Sequence, residues 1–140
     1  MTKTILFIED NSMDVMLLKK AFEINGIPCN FEVVSDGDLA ISRIRKNESF
    51  PHLVILDLNI PKQSGEEILR EIKGSTSWKN IPVIVMTTSG LQQDICMAYA
   101  ASANCYIKKP LSFKDLKVIT QQINDFWLKT VTLPDCETLA

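Results

Sequence analysis

The chain has 140 residues, of which 46% are apolar and 23% charged, and its 15 basic and 17 acidic residues give a formal net charge of −2. This length and composition are typical of one globular domain and exclude a disordered chain, a collagen-like repeat and a coiled coil. The slight excess of acid argues against nucleic acid as the main partner, because non-specific binding depends on basic residues that neutralise phosphates. The longest apolar runs, Leu53–Leu56 and Ile81–Met86, fall far short of the roughly 20 residues that span a membrane, so we expect no membrane contact.

The N-terminus and the cysteines indicate the cellular compartment. The first apolar run ends after four residues in Glu9 and Asp10, unlike a signal peptide. The cysteines are Cys29, Cys96, Cys105 and Cys136. They share no zinc-like spacing, and His52 is the single histidine, so we expect no Cys/His metal cluster. We interpret the cysteines as reduced thiols and expect a cytoplasmic protein.

Short apolar runs alternate with longer amphipathic segments at a period near 25 residues. The predicted strands are Thr4–Ile8, Phe31–Val34, His52–Asp57, Val83–Met86 and Asn104–Lys108. The predicted helices begin near Asp14, Asp36, Ser64, Asp94 and Ser112. In the last helix we expect one apolar stripe formed by Phe113, Leu116, Ile119, Ile123 and Phe126. Several strands, including the first and third, are apolar on both faces, which predicts an α/β fold: a doubly wound, five-stranded parallel sheet of (βα)5, flavodoxin-like architecture.

Polar residues follow four of these strands at their carboxyl ends. They are Glu9 and Asp10 after the first strand, Asp57 at the end of the third, Thr87–Ser89 after the fourth, and Lys108 and Lys109 at the end of the fifth. One acid at a strand end is usually a turn former. The joint occurrence is far more specific, because doubly wound folds bind ligands beyond the carboxyl ends of their strands.

Three carboxylates and one lysine at one edge carry a net negative charge. At an effective dielectric near 20, like charges a few ångström apart repel by roughly 4 kcal/mol per pair. Oxygen ligands without His or Cys nearby favour Mg²⁺ or Mn²⁺, which would bring the pocket close to neutrality. Such a pocket suits a phosphoryl group, whose oxygens can contact the metal, the ammonium and a hydroxyl together.

The sequence resembles the receiver domain of two-component response regulators over residues 3–127. The matching pieces are Ile-Leu-Phe-Ile-Glu-Asp-Asn, Leu-Val-Ile-Leu-Asp-Leu-Asn-Ile-Pro, Ile-Pro-Val-Ile-Val-Met-Thr-Thr and Cys-Tyr-Ile-Lys-Lys-Pro-Leu. The resemblance implies that a sensor histidine kinase transfers a phosphoryl group to Asp57, with Mg²⁺ as the cofactor.

The resemblance also assigns the remaining site residues. Asp10 and Asp57 would ligate Mg²⁺ directly, together with the backbone carbonyl of Asn59, while Glu9 would act through water. Lys109 would pair with the phosphoryl group and be aimed into the pocket by a cis Lys109–Pro110 bond.

The switch residues follow from the same resemblance. The Thr87 hydroxyl would move toward a phosphoryl oxygen, and Tyr106 would then turn inward into the vacated space. Thr88 and Ser89 would shape the access of water to the phosphoryl group.

Two positions depart from the family pattern. Glu9 replaces the commoner Asp, which lengthens that arm. Lys108 stands where an apolar residue is usual, so two adjacent lysines compete for one role. Alternation along the strand sends them to opposite faces, and only the neighbouring Pro110 selects Lys109.

The C-terminal segment resembles one subgroup of this family. Asn104-Cys105-Tyr106 and the segment from Phe126 to Pro134 resemble the small, stand-alone regulators that partner phytochrome-type histidine kinases. We predict a receiver domain at 1–128 and a tail at 129–140, and we expect output through protein–protein contacts. The residues predicted to hold a homodimer are Phe126, Trp127, Val131 and Leu133. The alternative is a helix end that folds back on its own core.

Two other functions fit the pattern less well. A Mg²⁺-dependent hydrolase with an Asp nucleophile needs a second acid two residues after it, and Asn59 cannot serve. A flavodoxin-like cofactor binder needs a phosphate loop after the first strand, where Glu9 and Asp10 would repel a phosphate. We therefore expect a signalling protein and not an enzyme.

Overall fold

Residues 2–135 are described by the computed structural model; Cys136 and the rest of the predicted tail, 136–140, lie outside the described residues. The five strands are β1 (Lys3–Ile8), β2 (Cys29–Val34), β3 (Leu53–Leu56), β4 (Val83–Thr87) and β5 (Cys105–Lys108). They form one parallel sheet in the order β2-β1-β3-β4-β5. The predicted doubly wound sheet is confirmed, and the strand order reverses between β1 and β3, where such folds bind ligands.

Five α-helices connect and flank the strands. They are α1 (Ser12–Ile24), α2 (Gly37–Arg45), α3 (Gly65–Gly74), α4 (Gln92–Ala100) and α5 (Phe113–Ile123). A short 3₁₀ turn at Trp78–Asn80 precedes β4, and a π-helical segment at Asn124–Thr130 follows α5. None of the helices within residues 2–135 is both long and apolar enough to cross a bilayer.

Side-chain alternation along the strands creates a core on each face of the sheet. In β1, Leu6 and Ile8 belong to the core beneath α2, α3 and α4, which we call the α3/α4 core. Ile5 and Phe7 belong to the core beneath α1 and α5, which we call the α1/α5 core. All four are at most 1% exposed, so β1 is buried on both faces as its sequence predicts.

The first helix begins two residues earlier than we predicted. Asn11 caps it, since the Asn11 side chain accepts hydrogen bonds from the N–H groups of Met13 (3.0 Å) and Asp14 (3.1 Å). Asp14 consequently lies in the first turn of α1, next to the carboxyl end of β1. This position determines the charge pattern of the site.

The C-terminal helix departs from the predicted stripe. A π-helix has a wider turn than an α-helix, so each residue after Ile123 is rotated relative to the α-helical pattern. Phe126, predicted to lie on the buried stripe, is 51% exposed, and Trp127 and Leu128 pack against the α1/α5 core instead. The boundary predicted after residue 128 falls inside this helical segment.

Candidate functional site

Three site residues are fixed by backbone hydrogen bonds that continue the sheet past its strands. The N–H of Glu9 donates to Val34 O (3.0 Å), and that of Asp57 donates to Ile8 O (3.0 Å). The N–H of Lys109 donates to Thr87 O (2.7 Å). The backbones of Glu9, Asp57 and Lys109 are therefore held in place like those of residues within the strands.

Lys109 lies at the centre of the site. Its ammonium donates to Glu9 Oε1 (2.5 Å), Asp57 Oδ2 (2.7 Å) and Asp14 Oδ2 (2.8 Å). An ammonium group has three N–H donors, so each finds a carboxylate. Lys108, the competing lysine, is exposed, as strand alternation predicted.

The Lys109–Pro110 bond is trans, since residues 2–135 contain no cis peptide bond, and the expectation of a cis bond is wrong. For a bond that precedes proline the trans form is favoured by roughly 0.5–1 kcal/mol. Lys109 reaches the carboxylates without the cis form, because its backbone is already held by β4.

Asp14, which the sequence analysis did not single out, belongs to the group of neighbouring carboxylates. Carboxylate oxygens of Glu9, Asp14 and Asp57 lie within 4.8 Å of one another, whereas Asp10 is exposed and is not part of this group. The sequence analysis missed Asp14 because it started α1 at that residue. The available signal was the Asn11 cap, which places Asp14 in a first turn facing a strand end.

Burial and hydrogen bonding shift the pKa values of Glu9 and Asp57 in opposite directions. Burial, and then a hydrogen bond with Asp57, raises the pKa of Glu9 from 4.5 to about 7 despite the nearby ammonium. Burial also acts to raise the pKa of Asp57, but hydrogen bonds with Glu9, Lys109 and the Asn59 N–H (2.9 Å) outweigh it and lower the pKa. A proton taken up by this pair therefore resides on Glu9, and Asp57 stays an anion.

Lys109 keeps its proton for a similar reason. Burial acts to lower its pKa, but hydrogen bonds to Asp14, Asp57 and Glu9 outweigh it, and the pKa is raised. The buried site therefore holds a permanent cation beside an ionised aspartate.

The donor set fits a hard divalent cation. Carboxylate oxygens suit Mg²⁺ and Mn²⁺. Glu9 and Asp57 are 1% and 7% exposed at the side chain, and Asp14 is 35% exposed. An ion that shared these oxygens would offset the burial of negative charge that raises the pKa of Glu9.

The hydroxyl of Thr87 is the second unusual feature of this edge. Thr87 is fully buried, and its Oγ1 has no hydrogen-bond partner among the described residues. A buried polar group without a partner costs roughly 1–3 kcal/mol. A water molecule, an ion or a bound ligand can satisfy such a group.

Tyr106 and the residues after Thr87 lie around the loop that joins β4 to α4. The Tyr106 hydroxyl donates to the backbone oxygen of Ser89 (2.8 Å), and its ring packs against the α3/α4 core. Ser89 Oγ donates to Asp94 Oδ2 (2.5 Å) and accepts the Leu91 N–H (3.2 Å), while Thr88 is exposed. Ser89 thus anchors the loop, and its backbone holds the Tyr106 hydroxyl.

Comparison with known proteins agrees with this geometry. The family model of the response regulator receiver domain matches residues 5–121, which confirms the resemblance found in the sequence. Response regulator Rcp1 of Synechocystis sp. is 39% identical over 137 residues, covering 94% of this chain and 93% of Rcp1. The probable methanogenesis regulatory protein FilR2 of Methanothrix harundinacea is 42% identical over 128 residues, covering 89% and 83%.

Two solved structures resemble the chain along nearly its whole length. The phosphorylated cyanobacterial phytochrome response regulator RcpA has a TM-score of 0.90 and 39% identity, covering 96% of this chain and 100% of RcpA. The Mn²⁺-bound form of Rcp1 has a TM-score of 0.87 and 38% identity, covering 95% and 99%.

The raised pKa of Glu9 predicts how stability depends on pH without metal. A raised carboxyl pKa stabilises the folded state below the unfolded value of 4.5, and this contribution is lost as pH rises through about 7. In the presence of a chelator, the free energy of unfolding of wild type should fall from pH 5 to pH 8 more than that of Glu9→Gln, by up to about 3 kcal/mol. Urea unfolding at several pH values measures this difference.

Exposed Glu23 on α1 supplies the control, because Glu23→Gln should leave the pH dependence of wild type unchanged. Mg²⁺ should stabilise wild type more at pH 8 than at pH 5.5, since at low pH it must displace the Glu9 proton. Parallel pH profiles for wild type and Glu9→Gln would contradict the assignment of the proton to Glu9.

Proposed function

The chain belongs to the response regulator receiver family, and we propose that Asp57 accepts a phosphoryl group from a sensor histidine kinase in a Mg²⁺-dependent reaction. The observation that carries the proposal is the pairing of a buried, ionised Asp57 with the Lys109 ammonium at 2.7 Å. A carboxylate kept anionic by its surroundings is a nucleophile, and the adjacent cation receives the charge of the incoming group.

A carboxylate oxygen of Asp57 attacks phosphorus, and an acyl phosphate forms. The phosphorus–nitrogen bond to the protonated donor imidazole breaks, and its electron pair returns to the ring nitrogen, so the histidine leaves as neutral imidazole. Lys109 pairs with the transferred oxygens. Bound Mg²⁺ would supply neutralising charge. The residues that would hold it are Asp57, Asp10 and the Asn59 carbonyl, with Glu9 acting through water.

The unpaired Thr87 hydroxyl supports a switch. We propose that it hydrogen-bonds a phosphoryl oxygen and thereby shifts the loop that carries Ser89. Tyr106 would follow, because its hydroxyl is bound to Ser89 O. Thr88, exposed beside this loop, and Ser89 would set the access of water to the acyl phosphate.

The function is signalling rather than hydrolysis. An Asp-nucleophile hydrolase would need an acid at position 59, where an amide stands whose backbone N–H donates to Asp57. Asn59 cannot donate and recover a proton during turnover, which disfavours the hydrolase. We propose that the output passes through contacts with other proteins and involves no nucleic acid.

The relatives suggest the partner. RcpA is described as a phytochrome response regulator, and its match covers 96% of this chain, whereas FilR2 is described as a probable methanogenesis regulatory protein and its match covers 89%. We propose a phytochrome-type histidine kinase as the phosphoryl donor, acting in the cytoplasm. The greater coverage of the match with RcpA supports this partner.

A homodimer through the C-terminal segment is also proposed, with residues 129–140 as the tail of a receiver domain at 1–128. Trp127, Val131 and Leu133 are half-buried, but Phe126 is 51% exposed beside a groove of about 170 Å³ between β5 and α5. Trp127 therefore supports the alternative of packing on its own core. Phe126 remains to contact a second copy, together with the half-buried Val131 and Leu133, which belong to neither core.

Acetyl phosphate with Mg²⁺ should add one phosphoryl group to wild type and none to Asp57→Asn, because among residues 2–135 Asp57 is the carboxylate that is both buried and kept ionised beside Lys109. Intact-mass spectrometry measures the gain, and a chelator should abolish it. Asp125→Asn is the control, since Asp125 is exposed and bonded to Gln121. An unchanged gain in Asp57→Asn would exclude Asp57 as the acceptor.

Transfer from a phytochrome-type kinase, compared with unrelated kinases, tests the partner.

Thr87→Val should stabilise the unphosphorylated protein by about 1 kcal/mol, because it replaces an unpaired buried hydroxyl with a methyl group of similar size. It should still accept a phosphoryl group, yet the NMR signals of Tyr106 and Ser89 should respond much less to fluoroberyllate, a phosphoryl analogue. Thr87→Ser retains the hydroxyl and should respond like wild type. Equal responses in all three proteins would show that the hydroxyl does not connect the site to Tyr106.

Light scattering over a range of concentrations tests the dimer. Phe126→Ala should be monomeric with a melting temperature close to that of the wild-type monomer, because Phe126 contributes little to the core. Trp127→Ala should lose about 2–3 kcal/mol of stability, somewhat less than a fully buried Trp. A wild-type protein that stays monomeric at every concentration would refute the dimer and leave the segment a purely internal contact.

A further inference from the structure

Asp14 is the one partner of Lys109 that comes from a helix rather than from a strand end. Its Oδ2 lies 2.8 Å from Lys109 Nζ, and its side chain is 35% exposed, compared with 1% for Glu9 and 7% for Asp57. It does not belong to the sequence pattern that predicted the site. Its role therefore has to be derived from its contacts.

The position of Asp14 is well defined. Its N–H donates to the Asn11 cap at 3.1 Å, which fixes the first turn of α1. Leu18 and Phe22, one and two turns later, are buried in the α1/α5 core. Movement of the Asp14 carboxylate would therefore require a change of its own rotamer or a displacement of the helix.

The three carboxylate partners of Lys109 differ in their other roles at the site. Under the proposed function, Glu9 and Asp57 are shared with the metal, and Asp57 also becomes the acyl phosphate. Both then have less negative charge to offer the ammonium. Asp14 alone has no second task, so it can hold one N–H of Lys109 while another reaches a phosphoryl oxygen.

We propose that Asp14 is a positioning residue, which keeps the Lys109 ammonium beside Asp57 when metal and phosphoryl group occupy the site. This inference rests on the proposed function of Asp57. In the absence of Asp14, Lys109 has no fixed anion outside the reacting groups, and its long side chain regains rotamer freedom that binding must remove again.

The competing role for Asp14 is that of a metal ligand, since its oxygen lies within 4.8 Å of those of Glu9 and Asp57. The ammonium of Lys109, however, lies between these same oxygens. A cation bound by all three would have to displace Lys109 from Asp14, the reverse of what we propose. The two roles therefore predict different losses in the Asp14→Asn variant.

The test separates metal binding from phosphoryl recognition. In Asp14→Asn, the dissociation constant for Mg²⁺ should change less than about threefold, whereas the affinity for fluoroberyllate at saturating Mg²⁺ should fall about tenfold, a change of about 1.4 kcal/mol. Asp14→Glu should recover part of the loss, because it restores the anion. Asp115→Asn, at an exposed acid in the first turn of α5, is the matched control and should behave as wild type.

A double-mutant cycle shows whether Asp14 acts through the lysine. In a Lys109→Gln background, Asp14→Asn should cause little further loss of fluoroberyllate affinity, because the group that it positions is gone. Additive losses, an unchanged fluoroberyllate affinity in Asp14→Asn, or a tenfold loss of Mg²⁺ affinity would each overturn the inference alone. A wild-type protein that binds no fluoroberyllate would overturn the proposed function, and this inference with it.

Discussion

The site depends on the burial of more negative than positive charge around one ammonium group. Three carboxylates surround Lys109, and such an arrangement is stable only if a carboxyl is protonated, a carboxylate stays solvated or a cation enters. The structure uses the first two solutions at once: the pKa of Glu9 is raised to about 7, and Asp14 keeps part of its exposure. Because Glu9 takes the proton, Asp57 remains ionised, which a nucleophile requires. The protonation of Glu9 thus both reduces the buried negative charge and keeps Asp57 ionised for the proposed reaction.

Strand alternation divides the site between the two faces of the sheet. Ile5, Phe7 and Glu9 follow one another on the α1/α5 face of β1, and Ile107 and Lys109 continue the same face from β5. Val83, Val85 and Thr87 alternate toward the α3/α4 face, where Tyr106 also packs. The charged cluster therefore forms above one core, and the hydroxyl and its tyrosine above the other. Under the proposed function, a phosphoryl group on Asp57, at the central strand, would have to contact both sets, and a local change of charge would then affect packing on the opposite face.

Much of this arrangement could be predicted from the sequence, and the omissions have physical reasons. Buried strands are continuous apolar runs, and parallel strands bring their carboxyl ends to one edge, so the positions of Glu9 and Asp57 followed from strand assignment. Lys109 needed the neighbouring Pro110 to distinguish it from Lys108. Asp14 was missed because its place depends on a helix start two residues earlier, and helix ends are the least certain part of any pattern. Asp10 adjoins Glu9 in sequence but is exposed, because neighbouring side chains at a strand end diverge. The π-helical turns after Ile123 could not be predicted, since the spacing of apolar residues continues the α-helical pattern through Phe126 and gives no sign of a wider turn.

The packing of Trp127 brings the C-terminal segment close to β5. Trp127 packs against the same core as Cys105, which precedes Tyr106 in β5, and as Ile107. The C-terminal segment therefore packs on the side of the sheet to which β5 contributes Cys105 and Ile107, and Phe126 is exposed beside it. Tyr106, the proposed switch residue, belongs to the same strand. A displacement of β5 or Tyr106 would change how Phe126 is presented to a partner. By thermodynamic linkage, a partner that prefers one presentation would shift the switch by the same free energy. Such coupling would need no separate output domain, because β5, an edge strand of the sheet, carries Tyr106 and also contacts the core on which Trp127 packs.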